Sequence, residues 1–275
     1  MVRPKNLLHL ARTARTGFFS RDPEEKNRSR YLLARIFVEQ FLGGFRLYKH
    51  SHAWYRDEEY FRLWKAFPEN NNRILDKQFT IHQLARSIAA LPGDTMECGV
   101  YRGAGSYLVL TATEGQGRTH HLFDSFEGLS APTREDTPAD PSAHQYEAGE
   151  LSIPLETVQR NLAPFADRTR YYKGWVPERF PEVADRVFAF CYIDVDLYEP
   201  TRDAFEFFYD RMVPGGLLVC DDYGFVDCPG AKQAVDDFVA DKPEEVVHLT
   251  SGQGVIVKQG PRTVSASAAP PIPSS

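Results

Sequence analysis

Apolar residues follow two kinds of pattern along the chain, and the change between them occurs near Pro92. Before it, apolar and aromatic side chains recur every three or four residues over about 26–66 and again over 73–91, which is the spacing of amphipathic helices. After it, short continuous apolar runs alternate with helix-like segments, and this predicts a parallel sheet covered on both faces. Strands are expected at 95–100, 121–123, 170–173, 187–193 and 213–220, and helices at 107–113, 204–208 and 231–239.

The last part of the chain departs from this alternation. Two short apolar runs, 246–249 and 255–257, flank the turn-forming residues 250–254, and this combination predicts a hairpin that adds an antiparallel strand to the sheet. Residues 259–275 are rich in Pro, Ser and Ala and are expected to form a disordered tail. The polar, Pro-containing stretch 129–150 has no periodicity, and a loop of this length inside a domain is typical of a lid over a binding site.

The length of 275 residues and a hydrophobic content of 42% fit one large domain with additions. We assign residues 1–25 to a flexible basic arm, 26–69 to accessory helices and 70–258 to the main domain. No stretch approaches the ~20 apolar residues of a membrane-spanning helix, and no signal peptide is recognisable. We therefore expect a soluble, cytoplasmic protein.

Charge is spread unevenly over the chain. The net charge of −6 argues against a general nucleic-acid binder. Residues 1–50 hold 11 Lys and Arg against 4 Asp and Glu, so this part carries +7 and the remainder −13. The basic start fits either a helix directed to an organelle or membrane surface or a solvated arm on an acidic body, and we favour the arm. The four cysteines lack Cys-x-x-Cys spacing, so neither a disulfide framework nor a zinc site is expected.

Ligands of an open parallel sheet bind outside the carboxyl ends of its strands. The first strand is followed by a turn containing Gly99, Gly103 and Gly105, which lets the backbone approach a ligand closely. Its spacing is not the Gly-x-Gly-x-x-Gly of dinucleotide-binding folds. The second strand ends at Asp124, where α/β folds hold a ribose by its hydroxyls, although a surface Asp that caps a turn would look the same. Together these elements predict an adenosine-containing cofactor that is not held by its phosphates.

Acidic residues end the two following strands. Asp194 and Asp196 end one of them, and Asp221 and Asp222 end the other. If these strands are neighbours, the four carboxylates repel one another unless a cation neutralises them or some of them keep their protons. Clustered carboxylate oxygens suit Mg²⁺. Such an ion could coordinate a substrate hydroxyl and lower its pKa, while Asp194 or Asp196 accepts the proton.

Several segments of the sequence resemble the macrocin O-methyltransferase (TylF-type) family, and they run in order from about 70 to 258. They are ECGVYRG at 97–103, HLFDSFEGL at 121–129, KGW at 173–175, DVDLYEPT at 194–201, PGG at 214–216 with DDYG at 221–224, and AVDDF at 234–238. The resemblance implies a class I fold, which is a Rossmann-like, seven-stranded, mostly parallel sheet with a C-terminal antiparallel hairpin strand, preceded by N-terminal helices. It also implies Mg²⁺-dependent transfer of a methyl group from S-adenosylmethionine to a small-molecule hydroxyl, typically a sugar hydroxyl of a glycosylated natural product.

The resemblance also assigns roles by motif position. Asp194, Asp221 and Asp222 would bind the metal, and Asp194 is the favoured general base with Asp196 as the alternative. Asp124 would hold the ribose. The other residues that would line the cofactor are Glu97, Gly99 and Ser106 along its methionine part, Ser125, Gly174 and Trp175 near adenine, and Tyr101 and Gly103 in the glycine-rich turn. In this family the region before the catalytic domain contributes to the acceptor pocket and to dimer contacts, which implies a homo-oligomer.

Two other functions compete with this interpretation. An apolar strand that ends in Asp-x-Asp, as at Asp194-Val195-Asp196, is also how metal-dependent sugar-nucleotide glycosyltransferases hold a cation and a diphosphate. Such an enzyme has no need of the Gly-rich turn, the acid after the second strand or the C-terminal hairpin. A methyltransferase-like binding subunit without activity is the third possibility, and the presence of all four acidic residues argues against it.

Overall fold

The computed structural model describes residues 4–42, 57–69 and 75–260. The chain divides into two compact units, residues 1–61 and 62–275. Most of the tail predicted at 259–275 lies outside the described residues, and the domain limits drawn from the sequence stay predictions. No helix in the described ranges is both long and apolar enough to cross a membrane.

The first unit contains the helices α1 (Pro4–Phe19) and α2 (Pro23–Phe41). The Ser20 hydroxyl oxygen between them accepts a hydrogen bond of 3.2 Å from the backbone N–H of Asp22 and donates one of 2.7 Å to Glu25. The Arg30 side chain of α2 donates a hydrogen bond of 2.9 Å to the carbonyl of Gly17 in α1. Helix α1 lies in the segment that we assigned to a basic arm, and the flexibility of that arm stays a prediction.

A seven-stranded sheet forms the second unit. Its strands are β1 (Asp94–Cys98), β2 (His120–Asp124), β3 (Thr169–Lys173), β4 (Phe188–Ile193), β5 (Met212–Cys220), β6 (Val247–His248) and β7 (Gly254–Val257). They lie in the order β3-β2-β1-β4-β5-β7-β6. The first five strands of this order are parallel, and β7 pairs antiparallel with both β5 and β6. The mostly parallel sheet and its C-terminal hairpin are therefore confirmed. The strand order reverses between β1 and β4, where an open α/β sheet leaves a crevice.

Helices cover the two faces of this sheet. Their bounds are α4 (Leu75–Ser87), α5 (Ala104–Ala112), α6 (Leu155–Asn161), α7 (Tyr198–Tyr209) and α8 (Pro229–Val239), while α3 (Glu58–Ala66) crosses the boundary between the units. The predicted helix over 73–91 ends at Ser87. The Arg118 guanidinium donates hydrogen bonds of 3.1 and 3.3 Å to the carbonyls of Ile88 and Ala89, which follow the helix. The seven-residue α6 was not predicted, because so short a helix shows little periodicity.

Alternating side chains of the central strand β4 enter two separate cores. Phe190 and Tyr192 pack on the face that α4 and α5 cover, whereas Cys191 and Ile193 pack on the face that α7 and α8 cover. This burial on both faces explains the continuous apolar run of the strand. The predicted absence of a disulfide framework is confirmed, because all four cysteines are buried free thiols.

Candidate active site

A pocket of about 210 Å³ opens at the carboxyl edge of the sheet, at the reversal point between β1 and β4. Its walls come from the segments that follow the first four strands. Seven of the residues that the sequence nominated line it: Gly99, Tyr101, Asp124, Ser125, Trp175, Asp194 and Asp196. The sequence did not nominate Leu129, Ser130, Leu151 and Pro200, which also line it. The structure thus brings most of the predicted site into one cavity.

Gly99 joins the ends of β1 and β4. Its φ is +79°, and a Cβ added there would overlap the carbonyl oxygen of Asp194. The backbone N–H of Asp194 donates a hydrogen bond of 2.8 Å to the carbonyl of Cys98. Only glycine combines this conformation with so close an approach, so the residue fixes the spacing between the Gly-rich turn and Asp194.

Asp124 bridges the Gly-rich turn and its own loop. One carboxylate oxygen accepts hydrogen bonds of 2.6 and 3.3 Å from the backbone N–H groups of Val100 and Tyr101, and the other accepts one of 2.6 Å from Phe126. A carboxylate offers about four lone-pair sites. Asp124 can therefore keep these bonds and still accept from a ligand hydroxyl in the pocket.

A buried polar chain lies behind the pocket wall. The Ser106 hydroxyl donates to the carboxylate of Glu97, which is 2% exposed. The His120 ring contacts Ser106 at 2.9 Å through Nε2 and Thr95 at 2.8 Å through Nδ1. Burial raises the pKa of Glu97 to about 8, and burial lowers the pKa of His120 to about 3. Neither Glu97 nor Ser106 lines the cavity itself, so the structure places them one layer below it.

Three further nominated residues shape the loops around the pocket. The Ser125 hydroxyl donates 2.8 Å to the carbonyl of Gly128 and closes the turn after β2. Gly174 donates its N–H to the Asp124 carbonyl at 3.0 Å, which ties the end of β3 to that of β2. Gly103, with a φ of +87°, precedes the first residue of α5. Gly103 and Gly174 are not part of the pocket lining, whereas Trp175, 36% exposed, is.

Three carboxylates converge beside the pocket. Asp194, Asp221 and Asp222 each offer an oxygen, and these atoms lie within 4.8 Å of one another. Burial and the neighbouring carboxylates raise the pKa of Asp194 and of Asp222. The Oδ2 atom of Asp222 is buried and has no hydrogen-bond partner among the residues that the structure describes. An all-oxygen set with an unsatisfied buried acceptor fits a hard cation such as Mg²⁺.

Within the described residues, a lysine pairs with this cluster. The ammonium of Lys77, on α4, forms an ion pair with Asp221 and lies 3.8 Å from Oδ1 of Asp222. The second oxygen of Asp221 accepts a hydrogen bond of 2.8 Å from the side-chain amide of Gln253. The sequence analysis missed Lys77 and Gln253. One signal was available, because Lys77 occupies the same helix face as the apolar Ile81 and Ala85, where a lysine needs a buried partner.

Asp196 sits in a strained turn at the pocket. Its φ is +60°, and the N–H of Leu197 donates a 2.6 Å hydrogen bond to the carbonyl of Val195 across it. The Cys228 thiol donates to its carboxylate at 3.6 Å, and burial raises the pKa of Asp196 to about 6. Asp196 lines the pocket but is not one of the three converging carboxylates described above.

The stretch 129–150 is closed at its base. Leu129 donates its N–H to the carbonyl of Glu150, and Gly149 donates to that of Leu129, both at 2.9 Å. Leu129 and Ser130 at its start reach the pocket. The stretch therefore borders the cavity, and its role as a lid stays a prediction.

Comparison with known proteins identifies a family to which this chain is similar. The sequence model of one family, Macrocin-O-methyltransferase (TylF), matches residues 72–249. Mycinamicin III 3''-O-methyltransferase of Micromonospora griseorubida is 34% identical over 157 residues, which are 54% of this chain and 61% of that protein. The 8-demethyl-8-(2,3-dimethoxy-alpha-L-rhamnosyl)-tetracenomycin-C 4'-O-methyltransferase of Streptomyces olivaceus is 33% identical over 155 residues, 54% of this chain and 58% of that one. The chain thus spans about three fifths of the length of these two relatives.

Solved structures share the fold. The O-methyltransferase NovP has 25% sequence identity and a TM-score of 0.56, with 68% of this chain and 81% of NovP covered. The calicheamicin methyltransferase CalS11 has 18% identity and a TM-score of 0.58, with 94% of each chain covered. At this identity, the CalS11 likeness bears on the fold alone.

Proposed function

Because this chain belongs to the macrocin-O-methyltransferase (TylF) family, we propose that it transfers a methyl group from S-adenosylmethionine to a hydroxyl of a small molecule. The observation that carries the proposal is the position of Asp194, which belongs both to the pocket lining and to the group of three converging carboxylates. A cofactor in the pocket and a cation among the carboxylates would therefore meet at this one residue.

The pocket suits the cofactor at three points. Asp124 keeps one lone-pair site free for a ribose hydroxyl, and the exposed ring of Trp175 offers a flat apolar surface to adenine. Gly99 lets the methionine part approach the backbone, above the layer that contains Glu97 and Ser106. No phosphate-binding turn is required, which agrees with the spacing of the glycines.

Asp194, Asp221 and Asp222 would hold Mg²⁺. When bound there, the ion would lower the pKa of an acceptor hydroxyl. Asp194 would accept the hydroxyl proton at a carboxylate oxygen, because it is the member of the cluster that reaches the pocket. The cofactor, when bound, would supply the methyl group for in-line transfer to the acceptor oxygen, with S-adenosylhomocysteine as the other product. Asp196, whose pKa is about 6, is the alternative proton acceptor.

The acceptor that we propose is a sugar hydroxyl on a glycosylated natural product. This rests on the names of the relatives, one of which acts on a rhamnosyl tetracenomycin and another on mycinamicin III. The glycosyltransferase interpretation has no support from these comparisons, since every relative named above is a methyltransferase.

The test has a binding part and a turnover part. Calorimetry with S-adenosylhomocysteine is expected to give binding to the wild-type protein and a loss of at least about tenfold in affinity in Asp124→Asn. Mass spectrometry with S-adenosylmethionine and a panel of natural-product glycosides is expected to show a gain of one methylene, and excess EDTA is expected to abolish it. Asp221→Asn is expected to stop turnover with little change in cofactor affinity.

Asp203→Asn is the matched control, because Asp203 pairs with Arg202 on α7 and is no part of the pocket or the cluster. It is expected to behave as wild type in both assays. Full turnover in excess EDTA would refute the metal mechanism, and unaltered binding by Asp124→Asn would refute the cofactor assignment.

A further inference from the structure

Lys77 places a buried ammonium against Asp221 and Asp222, two of the three carboxylates proposed to hold the metal. We propose that its ammonium is a built-in competitor for the divalent cation, occupying a ligand oxygen of Asp221 in the metal-free protein and weakening metal binding at the cluster. The inference rests on the proposed metal-dependent function.

The ammonium of Lys77 is held in place from several sides. The side chain is 7% exposed, and its nitrogen lies 4.0 Å from the centroid of the Phe225 ring. The backbone carbonyl of Lys77 accepts a hydrogen bond of 3.5 Å from Gln253, whose amide also binds Asp221. The ammonium is therefore buried between the acid cluster and the Phe225 ring.

The ammonium faces two carboxylates of the cluster, Asp221 in an ion pair and Asp222 at 3.8 Å. A divalent ion at the cluster therefore meets a fixed positive charge a few ångströms away, where the surroundings screen poorly. The divalent ion also competes with the Lys77 ammonium for an oxygen of Asp221.

Lys77 stabilises the acid cluster when no metal is present. Buried carboxylates without a cation are strongly destabilising, and Lys77 supplies one positive charge to Asp221 and Asp222. The unpartnered Oδ2 of Asp222 remains available to an entering ion. Lys77 thus lowers the affinity of the cluster for the metal and raises the stability of the metal-free fold.

The experiment titrates the full-length protein with Mn²⁺ and measures free Mn²⁺ by electron paramagnetic resonance. Lys77→Met and Lys77→Gln remove the charge, and Gln keeps a hydrogen-bond donor for Asp221. Both are expected to bind Mn²⁺ about tenfold more tightly than wild type or more, while Lys77→Arg stays close to wild type. In EDTA the two neutral variants are expected to melt at lower temperature than wild type, and Mn²⁺ is expected to narrow the difference.

Lys232→Met is the matched control. Lys232 also pairs with an aspartate, Asp236, and lies 4.7 Å from the centroid of the Tyr223 ring, but Asp236 is not a proposed ligand. Its Mn²⁺ affinity is expected to stay within about twofold of wild type.

Equal or weaker Mn²⁺ binding by the neutral variants would overturn the inference and leave the metal-dependent function standing. If wild type and all variants bind S-adenosylhomocysteine but none binds Mn²⁺, the metal part of the proposed function fails and the inference fails with it. Should the neutral variants not fold, the side-chain ¹⁵N resonance of Lys77 in the wild-type protein decides. It is expected to shift when Mg²⁺ is added, and an unchanged resonance at saturating Mg²⁺ overturns the inference.

Discussion

The carboxylate of Asp136 accepts a hydrogen bond of 2.7 Å from the backbone N–H of Tyr198, the first residue of α7. The same side chain, 6% exposed, also accepts from the N–H and the hydroxyl of Thr133 at 2.7 and 2.8 Å. Asp136 thus caps the helix that follows Asp196 and binds the first part of the 129–150 stretch to that helix. The capping residue comes from a distant part of the chain instead of from the residue before the helix.

Asp136→Ala is expected to lower the free energy of unfolding by about 1–2 kcal/mol, because three partly buried donors lose their acceptor. The stretch 129–150 loses its bond to the start of α7, so the KM for the acceptor is expected to rise while the affinity for S-adenosylhomocysteine changes little. Urea denaturation and steady-state kinetics measure the two effects.

Asp140→Ala is the control for that variant. Asp140 lies in the same stretch but is exposed, and its carboxylate accepts only from Ser142 among the hydrogen bonds described. It is expected to leave both quantities close to wild type. If Asp140→Ala raised the acceptor KM as much as Asp136→Ala, the attachment to α7 would not be the cause.

Gly99→Ala tests the close approach between β1 and β4. The new Cβ would overlap the Asp194 carbonyl, and the alanine would have to adopt a φ near +79°. A loss of more than about 3 kcal/mol in unfolding free energy is therefore expected. Gly115 has a similar φ of +75° with nothing within 4 Å of an added Cβ. Gly115→Ala is therefore expected to lower the unfolding free energy by only about 1 kcal/mol, which is the conformational cost alone. Equal losses in urea denaturation would show that the overlap is unimportant.

Much of this site could be predicted because its signals are local in sequence. Asp124 ends the apolar run of β2, and Asp194 directly follows the apolar run of β4. These residues lie at the same edge of the sheet because the strands are parallel. The roles drawn from the family resemblance stay predictions, although the structure brings the nominated residues to one edge.

The contacts that the sequence did not reveal are all long-range. Lys77 reaches Asp221 from a helix that precedes the whole sheet, and Gln253 reaches it from the C-terminal hairpin. Asp136 caps a helix 62 residues further on. None of these partners is set by periodicity or by a motif, because each depends on how separate elements pack around the finished sheet.

The buried carboxyl of Glu97 gives the metal-free protein a particular pH dependence. Its pKa in the folded state is about 8, against 4.5 when unperturbed, chiefly because of burial. The folded protein therefore keeps a proton that the unfolded chain releases, and stability falls as pH rises from about 4.5 to about 8. Glu97→Gln removes this dependence, so its stability relative to wild type is expected to rise by up to about 4 kcal/mol between pH 5 and pH 9.

Glu244→Gln supplies a control of the opposite sign. Burial opposes ionisation of Glu244, but hydrogen bonds from Gln259 and Tyr209 outweigh burial and lower its pKa. Its contribution is present at neutral pH and is lost as pH falls through that lowered pKa. The variant is therefore expected to be less stable than wild type at neutral pH and closer to it in acid. Parallel pH profiles for both variants in urea denaturation would contradict the assignment to Glu97.

Trp175 tests where the adenine lies. Its ring is the large aromatic surface that the end of β3 contributes to the pocket. Stacking of a base on an aromatic ring contributes about 1–3 kcal/mol, so Trp175→Ala is expected to weaken S-adenosylhomocysteine binding by about 10- to 100-fold in calorimetry, with Trp175→Phe between it and wild type. Trp64 is buried and stacks on Phe67, away from the residues that line the pocket. Trp64→Phe is therefore expected to bind as wild type. Unchanged affinity in Trp175→Ala would exclude adenine from this wall of the pocket.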